Sequence, residues 1–230
     1  MRAWLVTMIA LGLTSPLPAV AQDIVVTASR RDDGPPQITG VGIRRRADFA
    51  VQTVTIYGDA REKEARRAEI LSTVRNVIDL AAKRDVQVAH GGSVIQPLTL
   101  LNYADKLKFE KDEDREDAES VSFVLKTPLR EAGNGAAMDR LNAFIRAVPK
   151  VGRAVIDRNG EPGVSIVDPT QYRPQIIAAI AADASAAAQA FGQSYVVEVG
   201  ELARPVRWAL VSPTEVLLYI DHDLKVVPKR

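Results

Sequence analysis

The sequence predicts an α+β protein in which a mixed or antiparallel sheet is packed by about three helices. Stretches rich in β-formers alternate apolar and polar residues, and three other stretches place apolar residues at helical spacing. The two kinds do not alternate regularly along the chain, as they would in a parallel sheet. With 230 residues, 47% of them hydrophobic and 26% charged, the chain is long and apolar enough to bury a sizeable core.

The predicted strands are short and are separated by turn residues. Residues 49–57 give the clearest alternation of apolar and polar positions. Residues 107–109 and 120–126 are expected to be the two arms of a hairpin around a charged loop at 110–117. Residues 159–163 contain Asn-Gly and Pro-Gly steps, which predict a turn between two extended segments. Further strands are expected at 85–90, 93–101, 195–201, 206–211 and 215–227.

Three helices are predicted from apolar residues three and four positions apart. The first is expected at about residues 60–83 and the second at about 136–148, where Pro149 ends it. The third lies between Asp168, which can cap its start, and Gly192, which can take the left-handed position just past its end. Its interior is mostly alanine, so its backbone can approach a sheet closely.

Residues 1–21 have the three parts of a cleavable export signal. A basic start and an apolar run at 4–13 precede a small-x-small site, so cleavage is expected between Ala21 and Gln22. The apolar run is shorter than a bilayer requires, and we expect no transmembrane span in the mature chain. The predicted location is the periplasm, with peripheral attachment to the outer membrane as a variant of that prediction.

Composition and charge exclude several classes of function. Thirty basic and 29 acidic residues leave a net charge of +1, which provides no general attraction to nucleic acid. Cysteine is absent, which excludes disulfides, thiol catalysis and cysteine-ligated metals. Residues 22–48 are rich in arginine and proline and poor in core-forming residues, so a flexible N-terminal tail is expected before a single domain at 49–227.

Three segments together resemble the SIMPL domain family of exported bacterial envelope proteins. They are the strand and helix at 49–83, the strand at 120–126 with the helix at 138–148, and the block from 168 to 192. The last block carries Ala182-Asp183-Ala184 at the position of an alanine-aspartate-alanine step in that family. The resemblance implies a non-enzymatic protein with no catalytic residues and no cofactor, acting through self-assembly or partner binding.

A second resemblance concerns the start of the expected mature chain. Ile24, Val25 and Val26 lie in a segment at 23–28 that is similar to the TonB box of outer-membrane transporters. Such a box pairs its backbone with an exposed sheet edge of the energising protein. The resemblance implies, as an alternative function, an accessory protein that contacts a TonB-type or other envelope protein. The same residues also fit a strand of the domain itself.

Five further residues are candidates for contact with a partner. Val121, Phe123 and Leu125 form one apolar face on the arm at 120–126, which neither half of the chain obviously covers. Two alternatives follow: a homo-oligomer that closes over this face, or an arm that folds back on its own domain. Arg207 and Trp208 belong to residue types that anchor protein interfaces.

No residue pattern identifies a catalytic or metal site. His90 and His222 are the only histidines, and on a strand Asp221 and Asp223 would point to the face opposite His222. The loop at 110–117 alternates acidic residues like the start of a calcium loop, but it lacks the turn glycine and the closing glutamate. Calcium binding by this loop is left open, and an uncharacterised hydrolase is a third alternative without a supporting motif.

Overall fold

The fold is taken from a computed structural model, which describes residues 23–27, 41–112, 117–130 and 133–229. The strands are β1 (Asp23–Thr27), β2 (Gly42–Arg46), β3 (Phe49–Gly58), β4 (Gln87–Gly91), β5 (Val94–Pro97), β6 (Glu110–Lys111), β7 (Glu119–Pro128), β8 (Val155–Val167), β9 (Tyr195–Gly200), β10 (Arg207–Ser212), β11 (Glu215–Tyr219) and β12 (Asp223–Pro228). The helices are α1 (Lys63–Ala81), α2 (Tyr103–Lys106), α3 (Gly133–Ala147) and α4 (Arg173–Phe191).

Six strands close into a barrel-like sheet. Their order is β3-β8-β1-β5-β4-β7, and β7 pairs back with β3 to complete the circle, while the short β6 adds to β7. All the described pairings are antiparallel. The predicted α+β class with an antiparallel sheet is therefore confirmed, and the one-turn α2 accompanies the three longer helices.

The inside of the barrel is filled by side chains of modest size. Val51, Ala89, Ile95 and Val124 pack together there, with Val25 and Phe49 beside them. A barrel of so few strands leaves an interior that side chains fill.

Two apolar cores lie outside the barrel. In the first, α1 and α3 cover the outer faces of β3 and β7, where Ile56, Ile70 and Phe123 are buried together. In the second, α4 and a three-stranded sheet, ordered β10-β11-β2, pack near Ile24 and Ile166 on the outer faces of β1 and β8. A separate two-stranded ribbon, β9 with β12, contacts α4.

The predicted flexible tail at 22–48 does not hold where the structure describes it. β1 is inserted between β5 and β8, and Ile24 is only 2% exposed. β2 pairs along its length with β11 as an edge strand. Its exposed arginines, which indicated a solvated tail, fit an edge because charged side chains there discourage pairing with another chain. The domain therefore begins before residue 49; residues 28–40 lie outside the described part.

The predicted turn at 159–163 is a bulge within one long strand. β8 continues through these residues, and its register against β3 shifts between Val51 and Thr53. The amide of the buried Gln52 donates hydrogen bonds to the carbonyls of Asn159 (3.1 Å) and Gly160 (3.3 Å). A bulge leaves backbone groups unpaired, and this remote side chain satisfies two of them.

The predicted strand at 215–227 is two strands in two different sheets. β11 pairs with β10 and β2, whereas β12 pairs with β9. Between them, Ile220 is fully buried in the second core and His222 Nδ1 contacts the Ile220 carbonyl at 2.8 Å. The chain therefore leaves one sheet at a buried anchor and enters the other.

Candidate interaction surface

The apolar face predicted for partner contact lies in the interior. Val121, Phe123 and Leu125 are at most 2% exposed, because α1 and α3 cover this side of β7. The prediction that a second copy closes over them is wrong. In the sequence, the two covering helices stand on either side of β7, and their convergence on it is a tertiary feature that local pattern does not indicate.

The segment that resembles a TonB box is part of the barrel. Ile24 is buried in the second core and Val25 is half-buried among the barrel-interior residues, while the side chain of Val26 lies outside the described part. Val25 N–H also donates to the Ser93 carbonyl at 3.0 Å. Pairing of this segment with another protein would require β1 to leave the sheet.

Buried polar groups inside the barrel hold β1 in place. Asp23 on β1 forms an ion pair with Lys126 on β7, and the Lys126 ammonium lies 4.3 Å from the centre of the Phe49 ring. Both charged side chains are largely buried. A one-residue slip of β1 would turn Asp23 to the apolar outer face, so this pair fixes the register of the strand.

Arg207 and Trp208 lie on β10 but face opposite sides. Arg207 is exposed, and its Nε lies 2.9 Å from a carboxylate oxygen of Asp221. Trp208 is half-buried against the second core. These two residues therefore do not form one contact surface.

A different apolar surface is exposed at the end of α4 and on the β9–β12 ribbon. Phe191 is 58% exposed and Tyr195 is 43% exposed, and the centres of their rings are 6.4 Å apart. Val196, Leu224 and Val226 are exposed on the same ribbon. We call Phe191 together with β9 and β12 the ribbon surface. Sequence reasoning identified β9 and the strand-forming stretch at 223–227, but it did not identify their mutual pairing.

Cross-strand pairing gives the ribbon one wholly apolar face. Three cross-strand pairs share that face: Tyr195 with Pro228, Val197 with Val226, and Val199 with Leu224. The other face carries Val196 opposite Val227, Glu198 opposite Lys225, and Gly200 opposite Asp223. Burying the first face would thus bring no charged side chain out of water.

The helix next to the ribbon leaves much of it uncovered. α4 contacts β9, yet only Ile176, Ile180 and Ala184 of this helix are buried. The last two turns of α4 are mainly alanine and partly or fully exposed, and alanine side chains cover little neighbouring surface. The C-terminal end of the alanine-rich helix therefore leaves apolar side chains of the ribbon exposed.

Other charged clusters in the described residues have structural roles. The Glu119 carboxylate accepts hydrogen bonds from Arg67 Nη2 (2.7 Å) and Arg66 Nε (3.1 Å), tying the start of α1 to β7. Those hydrogen bonds, from Arg67 first, hold the pKa of Glu119 below its ordinary value despite burial. Arg67 also lies 4.5 Å from the centre of the Phe109 ring.

The two histidines are not brought together with other ligands. Within the described ranges, no three His, Cys, Asp or Glu side chains are grouped so that they could hold a metal ion. Burial, followed by the charge of Lys106, lowers the pKa of His90. Four residues of the acidic loop, 113–116, lie outside the described part.

Among the described helices, none combines the length and apolar character needed to cross a bilayer. Known protein family models produce no match to this chain, and neither do the sequences of curated proteins.

Proposed function

We propose that this protein is a non-enzymatic, SIMPL-like protein of the periplasm that acts by binding another protein through the ribbon surface. The observation that carries the proposal is the continuous apolar face made by Tyr195, Val197 and Val199 with their partners on β12. Exposed apolar patches on soluble proteins mark interaction sites, and aromatic residues are enriched at the centres of interfaces.

The stability of the ribbon supports the same proposal. A two-stranded ribbon is marginally stable in water unless it packs on another element. Here β9 contacts α4 and Val199 packs against the second core, while Tyr195, Leu224 and Val226 stay exposed. A partner laid on the apolar face would therefore stabilise the ribbon as well as bind to it.

The family assignment is supported by the order of elements. β3 leads into α1, β7 leads into α3, and an Asp-Pro step leads into α4, as the resemblance implies. On α4, Ala184 is buried while Asp183 is exposed, so the Ala182-Asp183-Ala184 step marks a line of close packing. The envelope location rests on the export signal at residues 1–21.

The proposal is tested by photo-crosslinking in intact cells that export the full chain. A benzoylphenylalanine at Tyr195 is expected to give a discrete protein adduct, because this side chain lies exposed on the ribbon surface. The matched control places the same group at Leu101, which is 95% exposed and lies outside the ribbon, between β5 and α2.

A further substitution, Val197→Asp, should abolish the Tyr195 adduct without changing the amount of folded protein. The same adduct in equal yield from the Leu101 control, or the absence of any adduct at Tyr195, would contradict the proposal. The mass of the adduct also reports whether the partner is a second copy or a different protein.

A further inference from the structure

We infer that the partner for which the ribbon is built is a second copy of this chain, joined through the outer edge of β9 about a two-fold axis. The inference rests on the proposed function and specifies its partner. It follows from the hydrogen-bond directions along β9, from the difference between the two ribbon edges, and from charge placement.

The outer edge of β9 presents free backbone groups at Val197 and Val199, whereas the N–H of Tyr195 donates to the Gly192 carbonyl at 3.1 Å. Lys229 N–H donates to the Ser194 carbonyl at 2.8 Å, which makes these residues a hydrogen-bonded pair in the β9–β12 register. In an antiparallel ladder such pairs recur at every second residue. The backbone N–H and C=O groups of Val196 and Glu198 therefore point toward β12, and those of Val197 and Val199 point away from it. Within the described residues, no backbone partner accepts or donates at Val197 or Val199 on that outer side.

The two edges of the ribbon differ in how they discourage pairing. On β12, Pro228 lacks an N–H and two of the remaining side chains, Asp223 and Lys225, are charged. Proline and lysine are the residues by which edge strands are protected from other chains. On β9, Glu198 is the single charged residue, so this edge is left open to pairing.

Charge and shape select one register for a symmetric pair. With Val197 opposite its own copy, Tyr195 faces Val199 of the other chain and Glu198 faces Val196. Centring the axis on Glu198 would set two carboxylates directly opposite each other, which is destabilising. Centring it on Val196 would remove the Val199 residues from the pairing. The favoured register makes a four-stranded sheet, β12-β9-β9-β12, with one apolar face running across both copies.

The test uses the mature chain, starting at Gln22, in sedimentation or light scattering from about 1 to 100 µM, the range of ordinary protein associations. We expect twice the monomer mass. Val197→Lys and Val197→Glu should each give a folded monomer, because position 197 then faces a like charge across the axis. An equimolar mixture of the two should recover the dimer, which only a self-facing position can do. The same pair of changes at Val227, one strand away on β12, is the matched control and should leave the dimer intact.

A second variant keeps the test decisive if charges at position 197 unfold the ribbon. The chain has no cysteine, so Val197→Cys introduces a single thiol. Directly opposed residues of a hydrogen-bonded pair have Cα atoms about 5.5 Å apart, which a disulfide spans. Mild oxidation should therefore give a covalent dimer with Val197→Cys and not with Val227→Cys.

Three results would overturn the inference: a monomeric wild type at about 100 µM, a dimer that survives both charges at position 197, or no recovery on mixing together with no disulfide at Val197→Cys. A Tyr195 adduct whose mass shows a different protein would overturn the second copy as partner while keeping the proposed function. The absence of any adduct together with a monomeric protein would remove both.

Discussion

Glu119 shows how one buried carboxylate holds a helix to the barrel. Its side chain is 2% exposed, and it accepts hydrogen bonds from Arg66, whose side chain is 6% exposed, and from Arg67, which is partly in water. Removing one member of a buried ion pair leaves the other charged and unpaired in a poorly solvated place. The Arg66 guanidinium also donates to the Ala60 carbonyl, so it fixes the chain just before α1.

We expect Glu119→Gln to lower the free energy of unfolding by about 3 kcal/mol, because Arg66 keeps its charge and loses its counter-charge. The matched control is Asp79→Asn, which removes a carboxylate 3.9 Å from Arg75 in an exposed pair on the same helix. Its expected effect is below about 1 kcal/mol. Urea unfolding at neutral pH compares the two, and equal effects would contradict the structural role of Glu119.

Glu119 also predicts a response to acid. Its folded pKa lies below the unfolded value, so the stabilisation is complete above the unfolded pKa of about 4.3 and is lost as the pH falls through the folded pKa. Urea midpoints measured from pH 7 down to 3 should fall more steeply for the wild type than for Glu119→Gln. Parallel curves for the two proteins would show that another group causes the loss of stability at low pH.

His90 predicts a pH effect in a higher range. The folded pKa of this imidazole is lowered by burial and by Lys106, and its Nε2 atom is buried with no hydrogen-bond partner among the described residues. The unfolded chain therefore binds the proton more readily, so stability is lost as the pH falls below about 6.5 toward the folded pKa. Replacing it, His90→Gln, should flatten the dependence of the unfolding free energy on pH between 7 and 5; an unchanged slope would contradict this assignment.

At the scale of elements, β1 completes the barrel although it is only five residues long. It occupies a slot between β5 and β8, and Ile24 and Asp23 are both buried. Without it, both neighbouring strands would become open edges of an interrupted barrel.

A mature chain that starts at Ala28 instead of Gln22 should therefore lose at least about 3 kcal/mol of unfolding free energy, since removing buried Ile side-chain atoms alone costs about 2–5 kcal/mol. The matched control is the full-length mature chain with Val94→Thr, an exposed position on the neighbouring β5. Thermal and urea unfolding decide the matter. Equal stability of the chains that start at Gln22 and at Ala28 would contradict the structural role of β1.

Local pattern identified the elements whose determinants are local. The spacing of apolar residues in α1 and α3, and the alternation in β3, are properties of the segments themselves, and these elements lie close to where the sequence places them. The start of α4 is an exception: Asp168 has a left-handed backbone and makes no capping bond, and a single 3-10 turn at Pro169–Tyr172 precedes the helix.

Remote partners determine what local pattern missed. The closure of the barrel depends on β1 meeting β8, and the bulge in β8 depends on Gln52 of β3. Whether Phe123 is buried and Tyr195 is exposed likewise depends on which helices pack against their strands. The segments at 120–126 and 195–199 share the same alternating apolar pattern, so the sequence alone does not show which of them is covered.

At the scale of the whole molecule, the predicted cleavage site lies directly before the first strand of the fold. The expected cleavage after Ala21 leaves only Gln22 before β1. Intact mass of protein recovered from the periplasm should correspond to a chain beginning at Gln22. A precursor that carries Ala21→Lys, which removes the small residue at the site, is the matched control and should remain uncleaved. Recovery of wild-type protein with residues 1–21 still attached would contradict the export prediction.

The position of β1 in the barrel also sets the order of events during biogenesis. Under the proposed export the chain emerges amino end first, and β1 can be paired on both of its edges only after Val155–Val167 has followed it across the membrane. Folds dominated by such distant contacts form slowly, on scales of milliseconds to seconds, because the entropy of closing a long loop is lost before the contacts that stabilise it form. During that interval an apolar strand at the leading end stays without its partners and is a target for chaperones or for aggregation. Under the proposed export, the need for chaperones would therefore fall at the moment of secretion, before the barrel has closed.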